Sequence, residues 1–270
     1  MRDDQPGAIH KFRIAARRLR SALTTYRPLF QAGSVDPLRD ELRWLGRTLG
    51  SARDAQVLRE RLDELLDSQP PELVLGPVAS RIDGDLTYAY RDGRERSLAL
   101  LESERYFRLL DSLDDLVESP PLLPEAGQPA SEVLPRLLAR DTKRLRRAVR
   151  AAKAADHPDQ RDPALHEARK KAKRLRYAAD STVPVLGKRA EKLSAAAKRV
   201  QNALGLHQDA IVARRRLREY AVQAHLAGEN GFTFGRLHAL EEWRAEEARQ
   251  AFRKAWKKTP RRRIRRWVTE

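Results

Sequence analysis

Apolar residues along the chain recur at three- and four-residue spacings, and no strand-like alternation of β-branched residues lasts long. Proline and glycine punctuate this pattern at Pro28 and Gly33, Pro70-Pro71, Pro120-Pro121 with Pro124 and Gly127, Pro158 and Pro163, Pro184 and Gly187, and Gly228 and Gly231. The spacing predicts helices over 8–30, 36–67, 72–118 (with a break near Ser103), 130–155, 163–183, 188–226 and 232–257. Connections this short join antiparallel neighbours, so the expectation is an all-α fold of antiparallel helical bundles.

The chain also repeats itself. Residues 9–20 read IHKFRIAARRLR and residues 165–176 read LHEARKKAKRLR. At an offset of 156, His10/His166, Arg13/Arg169, Ala16/Ala172, Arg18/Arg174, Leu19/Leu175 and Arg20/Arg176 coincide, and Arg17/Lys173 keeps the charge. A second block, LGSARDA from Leu49 to Ala55, matches LGLHQDA from Leu204 to Ala210 at an offset of 155. Two matched blocks in one order predict two similar helical halves within a single domain, about 9–118 and about 130–257. A proline-rich linker over 119–129 joins them, and a basic tail over 258–270 follows.

Projected as helices, the duplicated blocks separate into two faces. In the first, Phe12, Ala16, Leu19, Leu23 and Tyr26 form a core stripe, while His10, Arg13, Arg17, Arg20, Thr24 and Arg27 fall within about 80° on the other side. In the second, Ala168, Ala172, Leu175 and Ala179 face the core, and His166, Arg169, Lys173 and Arg176 are polar. Like charges at i, i+3 and i, i+4 repel by a few tenths of a kcal/mol per pair, so a stripe kept twice points to an external anion or a facing acidic helix. Arg136, Arg140, Lys143, Arg147 and Arg150 align on helix 130–155, opposite Leu134, Leu138, Leu145 and Val149. Arg39, Arg43 and Arg47 form a shorter row, and Lys192, Lys198 and Arg199 a less regular set.

Net charge agrees with these faces. Lys+Arg number 55 against 38 Asp+Glu, a formal net charge of +17 at pH 7. That excess exceeds what solubility needs and favours a polyanionic partner: nucleic acid, polyphosphate or an acidic membrane surface. There is no cysteine, which excludes disulfides, thiolate metal sites and thiol chemistry. No apolar run reaches the length of a membrane span, and no apolar leader follows Met1, so the expectation is a cytoplasmic protein without a membrane span.

The chemistry-bearing motifs are missing. The sequence has no GxxxxGK[ST], GxGxxG, GxSxG or HExxH, and its acids are scattered among arginines rather than clustered to hold a cation. The expectation is a non-enzyme with no cofactor. His10 and His166 head the two stripes without the H-x-x-x-H or E-x-x-H spacing of a metal site. They read as hydrogen-bond partners for phosphate oxygens or for an orienting carboxylate, or as structural residues at helix starts. Asp54 and Asp209 either pair with a stripe cation or histidine, or stand as exposed helix acids. The glycine of the LGxxxDA block costs about 1 kcal/mol in a helix and is expected at a close helix contact.

The doubled H-x-x-R-x-x-x-[RK]-R-L-R block, each copy followed by L-G-x-x-x-D-A, resembles the CHAD family, the conserved-histidine α-helical domain. The likeness covers essentially the whole chain. It implies two pseudo-symmetric helical bundles around a basic central cavity that binds inorganic polyphosphate, and association with polyphosphate granules. By motif it assigns His10, Arg13, Arg17, Arg18 and Arg20 from the first copy and His166, Arg169, Lys173, Arg174 and Arg176 from the second. The projection sets Arg18 and Arg174 about 80° from the histidines, on a neighbouring wall or the surface. Arg43, Arg47, Arg140, Lys143, Arg147 and Lys198 complete the expected binding set. The likeness further implies a helix ahead of His10, the counterpart of 130–155. Only Met1 to Ala8 stand there, so the expectation is either that this helix is lacking, which would leave the first bundle open, or that the sequence begins late.

The preferred partner is therefore inorganic polyphosphate, bound without turnover. Nucleic acid is the second reading, through phosphate contacts or the Arg261-Arg262-Arg263 and Arg265-Arg266 tail. Single-strand binders add stacking aromatics. Aromatics are 6% of this chain and do not interleave with the stripes; Trp44, beside Arg43, reads as core. A metal-dependent phosphate-processing enzyme is the third reading. Nothing in the sequence signals an oligomeric state.

Overall fold

The computed structural model describes residues 8–259, except the side chains of Ala8 and His10. The tail arginines 261–266 and the segment ahead of Ala8 lie outside the described residues. The described residues form nine α-helices: α1 (Ala8–Tyr26), α2 (Asp36–Thr48), α3 (Gly50–Asp67), α4 (Val78–Leu101), α5 (Glu104–Glu118), α6 (Ala130–Ala154), α7 (Pro158–Leu186), α8 (Lys188–Leu226) and α9 (Phe232–Lys257). Short 3₁₀ turns follow α1, α3 and α5, and no strand is present among the described residues. The fold is all-α, as the periodicity predicts.

Several boundaries differ from the sequence reading. The helix expected from residue 72 begins at Val78, after a 3₁₀ turn over Pro71–Leu73. The expected helix over 36–67 is interrupted at Leu49, which keeps near-helical angles (φ −66°, ψ −10°) and is completely buried. The sequence has no strong breaker there. The helix expected from Pro163 begins at Pro158, where a first-turn proline and Asp159 suit a helix N-terminus. Pro163 then lies inside α7, and the hydrogen bond it forfeits belongs to the exposed residue Asp159. The first helix ends at Tyr26, and Pro28 leads into a 3₁₀ turn over Arg27–Leu29. The break near Ser103 is present, with the Ser103 hydroxyl capping α5 by accepting from the Tyr106 N–H.

The chain packs as two compact units. One comprises Met1–Gly46, Glu102–Leu204 and Ala251–Glu270, the other Arg47–Leu101 and Gly205–Gln250. Each draws on both sequence halves, so spatial units and sequence halves divide the chain differently. In the first unit α7 packs along α6 and against α1. Ala168, Ala172 and Ala179 are fully buried on α7, beside Leu138, Leu145, Val149 and Leu175. Small residues on this face let the helices approach closely. Burying one leucine or valine contributes about 1.5–3 kcal/mol, several times the cost of one like-charge pair on the opposite face. The core face therefore holds α7 in place despite its cationic stripe.

The second unit is centred on Leu62, Leu65, Ile82, Leu217, Tyr220, Phe234 and Leu237. Here α4 meets the start of α3 at Gly93. A Cβ there would lie 2.6 Å from the Ala52 nitrogen and 2.8 Å from Ser51 Oγ. The close contact at the LGSARDA block thus involves a glycine of the facing helix.

Candidate anion-binding site

The packing of α1 on α7 brings the two copies of the duplicated stripe together. Their core residues face inward: Ala16 and Leu23 on α1, and Ala168, Ala172, Leu175 and Ala179 on α7, are buried. Arg13, Arg17 and Arg20 of α1, and His166, Arg169, Lys173 and Arg176 of α7, are all half-buried. These side chains are neither solvated like a surface row nor sealed in a core. The His10 backbone is in α1, but its side chain lies outside the description.

Lys173 is the electrostatic centre of this face. Burial, reinforced by Arg17, Arg169, Arg13 and Arg20, lowers its ammonium from the usual 10.5 to about 7. Arg169 Nε is buried without a hydrogen-bond partner among the described residues. Two adjacent acids are already engaged. Glu167 accepts from Lys170 and Lys171; burial pushes its carboxyl upward, but these two contacts prevail and hold it at about 2. Asp180 takes the Ser194 hydroxyl and lies 3.6 Å from Arg176.

The other motif residues have different surroundings. Arg174 turns to Asp141, with Nη2 3.1 Å from Oδ1. Asp141, only 1% exposed, accepts hydrogen bonds from Thr25 Oγ1 at 2.8 Å and Arg144 Nη1 at 2.9 Å. Burial lowers the Arg174 guanidinium, opposed by Asp141. This network ties α1, α6 and α7 together beneath the cationic face. Arg18 is exposed, its guanidinium 5.9 Å from the Tyr177 ring centroid, and Arg176 approaches the same ring at 5.5 Å. Tyr177 thus links an arginine of each copy.

The remaining expected residues line open surface. Arg140, Lys143 and Arg147 are exposed on α6, and Lys198 is exposed on α8. Arg43 is exposed and pairs with Asp40 at 2.6 Å. Arg47 is exposed and belongs to the second unit. Asp54 is exposed on α3, and Asp209 is half-buried on α8.

Several charged contacts escaped the sequence reading because their partners are far apart in the chain. In the first unit, the Arg105 guanidinium lies 4.1 Å from the Trp44 ring centroid and bonds Glu41 at 2.7 and 3.0 Å. Trp44 is half-buried rather than core. In the second, Glu241 is fully buried and accepts from Arg61 and Arg244. Tyr220 donates to Asp85 at 2.6 Å, and Arg216 joins them. Asp141 did leave a signal: it lies three residues after Leu138 and four before Leu145, on the core row of an otherwise basic helix. Among the described residues no group of three or more His, Asp or Glu is placed to hold a metal ion, and no helix is long and apolar enough to cross a membrane.

Comparison with known proteins agrees with this architecture. The family model described as CHAD domain matches residues 1–218. Two curated proteins of Mycobacterium tuberculosis, the uncharacterized proteins MT2285 (strain CDC 1551) and Rv2226 (strain H37Rv), are each 41% identical over 265 residues. Each match covers 96% of this chain, and the chain spans about half (49%) of each relative's length. Among solved structures, PptA from Streptomyces chartreusis superposes with a TM-score of 0.77 at 26% identity, covering 93% of this chain and 89% of that one.

Proposed function

Because the chain belongs to the CHAD domain family, we propose that it binds inorganic polyphosphate, without turning it over, on the cationic face shared by α1 and α7. The observation that carries this reading is Lys173. A half-buried lysine among Arg13, Arg17, Arg20 and Arg169 is held against strong like-charge repulsion. A phosphate chain lying there would relieve it. Arginine offers bidentate hydrogen bonds to phosphate oxygens, and lysine adds a compact charge. Polyphosphate carries negative charge along its whole length and has no base to stack, so such a site needs converging cations and no aromatic platform. Each sequence copy supplies one wall.

In this reading Arg13, Arg17, Arg20, Arg169 and Lys173 hold the ligand, and His166, with its counterpart His10, donates to phosphate oxygens. Arg174 positions the helices through Asp141. The exposed Arg140, Lys143 and Arg147 steer an incoming polyanion by long-range attraction. The same reading extends to residence on polyphosphate granules.

The test is competition. Labelled long-chain polyphosphate is bound by the chain at near-physiological salt and challenged with single-stranded DNA, duplex DNA, ATP and pyrophosphate at equal phosphate concentration. Polyphosphate should be retained against all four. Displacement by either DNA would replace this reading with nucleic-acid binding, and phosphate release during the assay would replace it with an enzyme. Charge reversal of the 261–266 tail that alone abolishes binding would move the site off the repeats.

A further inference from the structure

The two units differ sharply in charge. The second holds 15 Lys+Arg against 17 Asp+Glu, and the first holds the other 40 of the chain's 55 cations against 21 of its 38 acids. The whole positive excess, with the α1–α7 face, therefore belongs to the first unit. The second unit, although smaller, carries most of the large apolar side chains left exposed among the described residues. The polyphosphate reading uses none of them.

Their arrangement is most regular on α9. The inner side of this helix is built in the ordinary way, with Phe234, Leu237 and Ala245 buried. The outer side of a surface helix is normally polar. Here Phe232, Gly235, Ala239 and Trp243 are all exposed and recur at steps of three, four and four. At about 100° per residue they form one row along the helix. Phe232 and Trp243 at its ends are 49% and 62% exposed. A Cβ at Gly235 would meet no atom within 4 Å, so packing within one copy does not call for a glycine there. The flanking charges are engaged: Arg236 bonds Gln69 at 2.8 Å, and Glu242 accepts from Arg214 at 2.8 Å. This part of α9 lies outside the residues that the family model matches.

The row reads large, small, small, large, and is the same in either direction. Such an order fits a second copy of itself. Two packed helices that cross are closest at the middle of the contact and diverge toward its ends. With a two-fold axis level with Leu237, Gly235 and Ala239 of both copies meet at the close point. Each Trp243 then lies against the partner's Phe232, and an aromatic pair closes either end. Charge restricts self-association to the second unit, because two first units would set strongly positive surfaces against each other. A polyanion or an acidic membrane would be drawn to the first unit instead.

We propose that two copies of this chain associate through the outer row of α9, as a two-fold dimer. Each copy brings its own cationic face, so the pair holds a long polyanion at two points or bridges two of them. The pairing itself does not depend on which polyanion the chain binds.

Sedimentation velocity of the full chain tests this across the micromolar range, without any polyanion and at near-physiological salt. The mass should rise with concentration from 30.9 kDa toward twice that value. Trp243→Ala should weaken association about tenfold or more. Ala239→Leu adds apolar surface but holds the helices apart, and should weaken association by a similar factor. Tyr88→Ala, at a 73% exposed position of α4, should leave it unchanged. All three positions are exposed, and circular dichroism checks that each variant is folded. A mass of 30.9 kDa at every concentration overturns the proposal. So does association that survives Trp243→Ala, tightens in Ala239→Leu, or falls as far in Tyr88→Ala as in Trp243→Ala. Each of those results would mean another face or unspecific apolar contact. None of them bears on polyphosphate binding, which the competition assay reads separately.

Discussion

Replacing Lys173 by methionine should stabilise the protein, and by more at low pH than at high. Methionine keeps most of the aliphatic stem and removes the charge. In the folded chain the amine titrates near 7 against the ordinary 10.5, so the unfolded chain holds the proton more tightly. Below pH 7 both states are protonated, and the charge costs the fold about 5 kcal/mol, from about 1.4 kcal/mol per pKa unit. Between pH 7 and 10.5 the folded state is neutral while the unfolded state remains charged. Stability then rises by about 1.4 kcal/mol per pH unit. The variant's advantage should therefore be about 5 kcal/mol at pH 6 and about 2 at pH 9. Residual solvent contact screens both values, so they are ceilings, but the direction of the pH trend is unaffected. Urea unfolding followed by circular dichroism measures this, in buffers free of phosphate and sulfate so that the cluster stays empty. Lys143→Met, at an exposed position of α6, corrects for the general loss of one positive charge. An advantage equal at pH 6 and pH 9 after that correction would refute the reasoning, because Lys173 would then titrate normally in the fold.

Asp141→Ala removes the carboxylate that accepts from Thr25 and Arg144 and forms an ion pair with Arg174 and should cost about 3–5 kcal/mol in urea unfolding; a loss below about 1 would mean that water replaces the carboxylate. Gly93→Ala places a methyl group against the Ala52 backbone and should cost about 1–3 kcal/mol, read from the thermal midpoint. An unchanged midpoint would contradict the contact at the start of α3. Polyphosphate affinity should fall steeply as salt rises, and Arg17→Gln should flatten that slope, since each neutralised charge releases counterions. A slope unaffected by Arg17→Gln would place that residue outside the contact.

The sequence made the local features legible. Helical periodicity revealed the core row of α7, and duplication revealed which cations form matched stripes, because both signals lie within a dozen residues. Leu49 shows one limit: the chain is interrupted there without a proline, at a buried leucine that reads as continuing helix. Pro163 shows the converse, a breaker tolerated inside α7 because the hydrogen bond it forfeits is at an exposed end. The site was legible as a list of cations but not in its internal order. Arg174 and Arg176 are two residues apart in one motif, yet one is tied to the buried Asp141 and the other lies on the cationic face. The special position of Lys173 depends on α1 packing against α7, and those helices are about 150 residues apart in the chain. No local pattern reports that contact.

The most direct test compares two double charge reversals that change net charge equally. Arg17→Glu with Lys173→Glu alters the α1–α7 face, and Arg140→Glu with Arg147→Glu alters the exposed row of α6. Affinity for long-chain polyphosphate is measured by anisotropy at near-physiological salt, with helicity checked by circular dichroism. The account predicts at least a hundredfold loss for the first pair, or about 3 kcal/mol, and only a few-fold loss for the second. Equal losses from the two pairs would contradict it, because binding would then follow overall charge rather than the face built by the repeat.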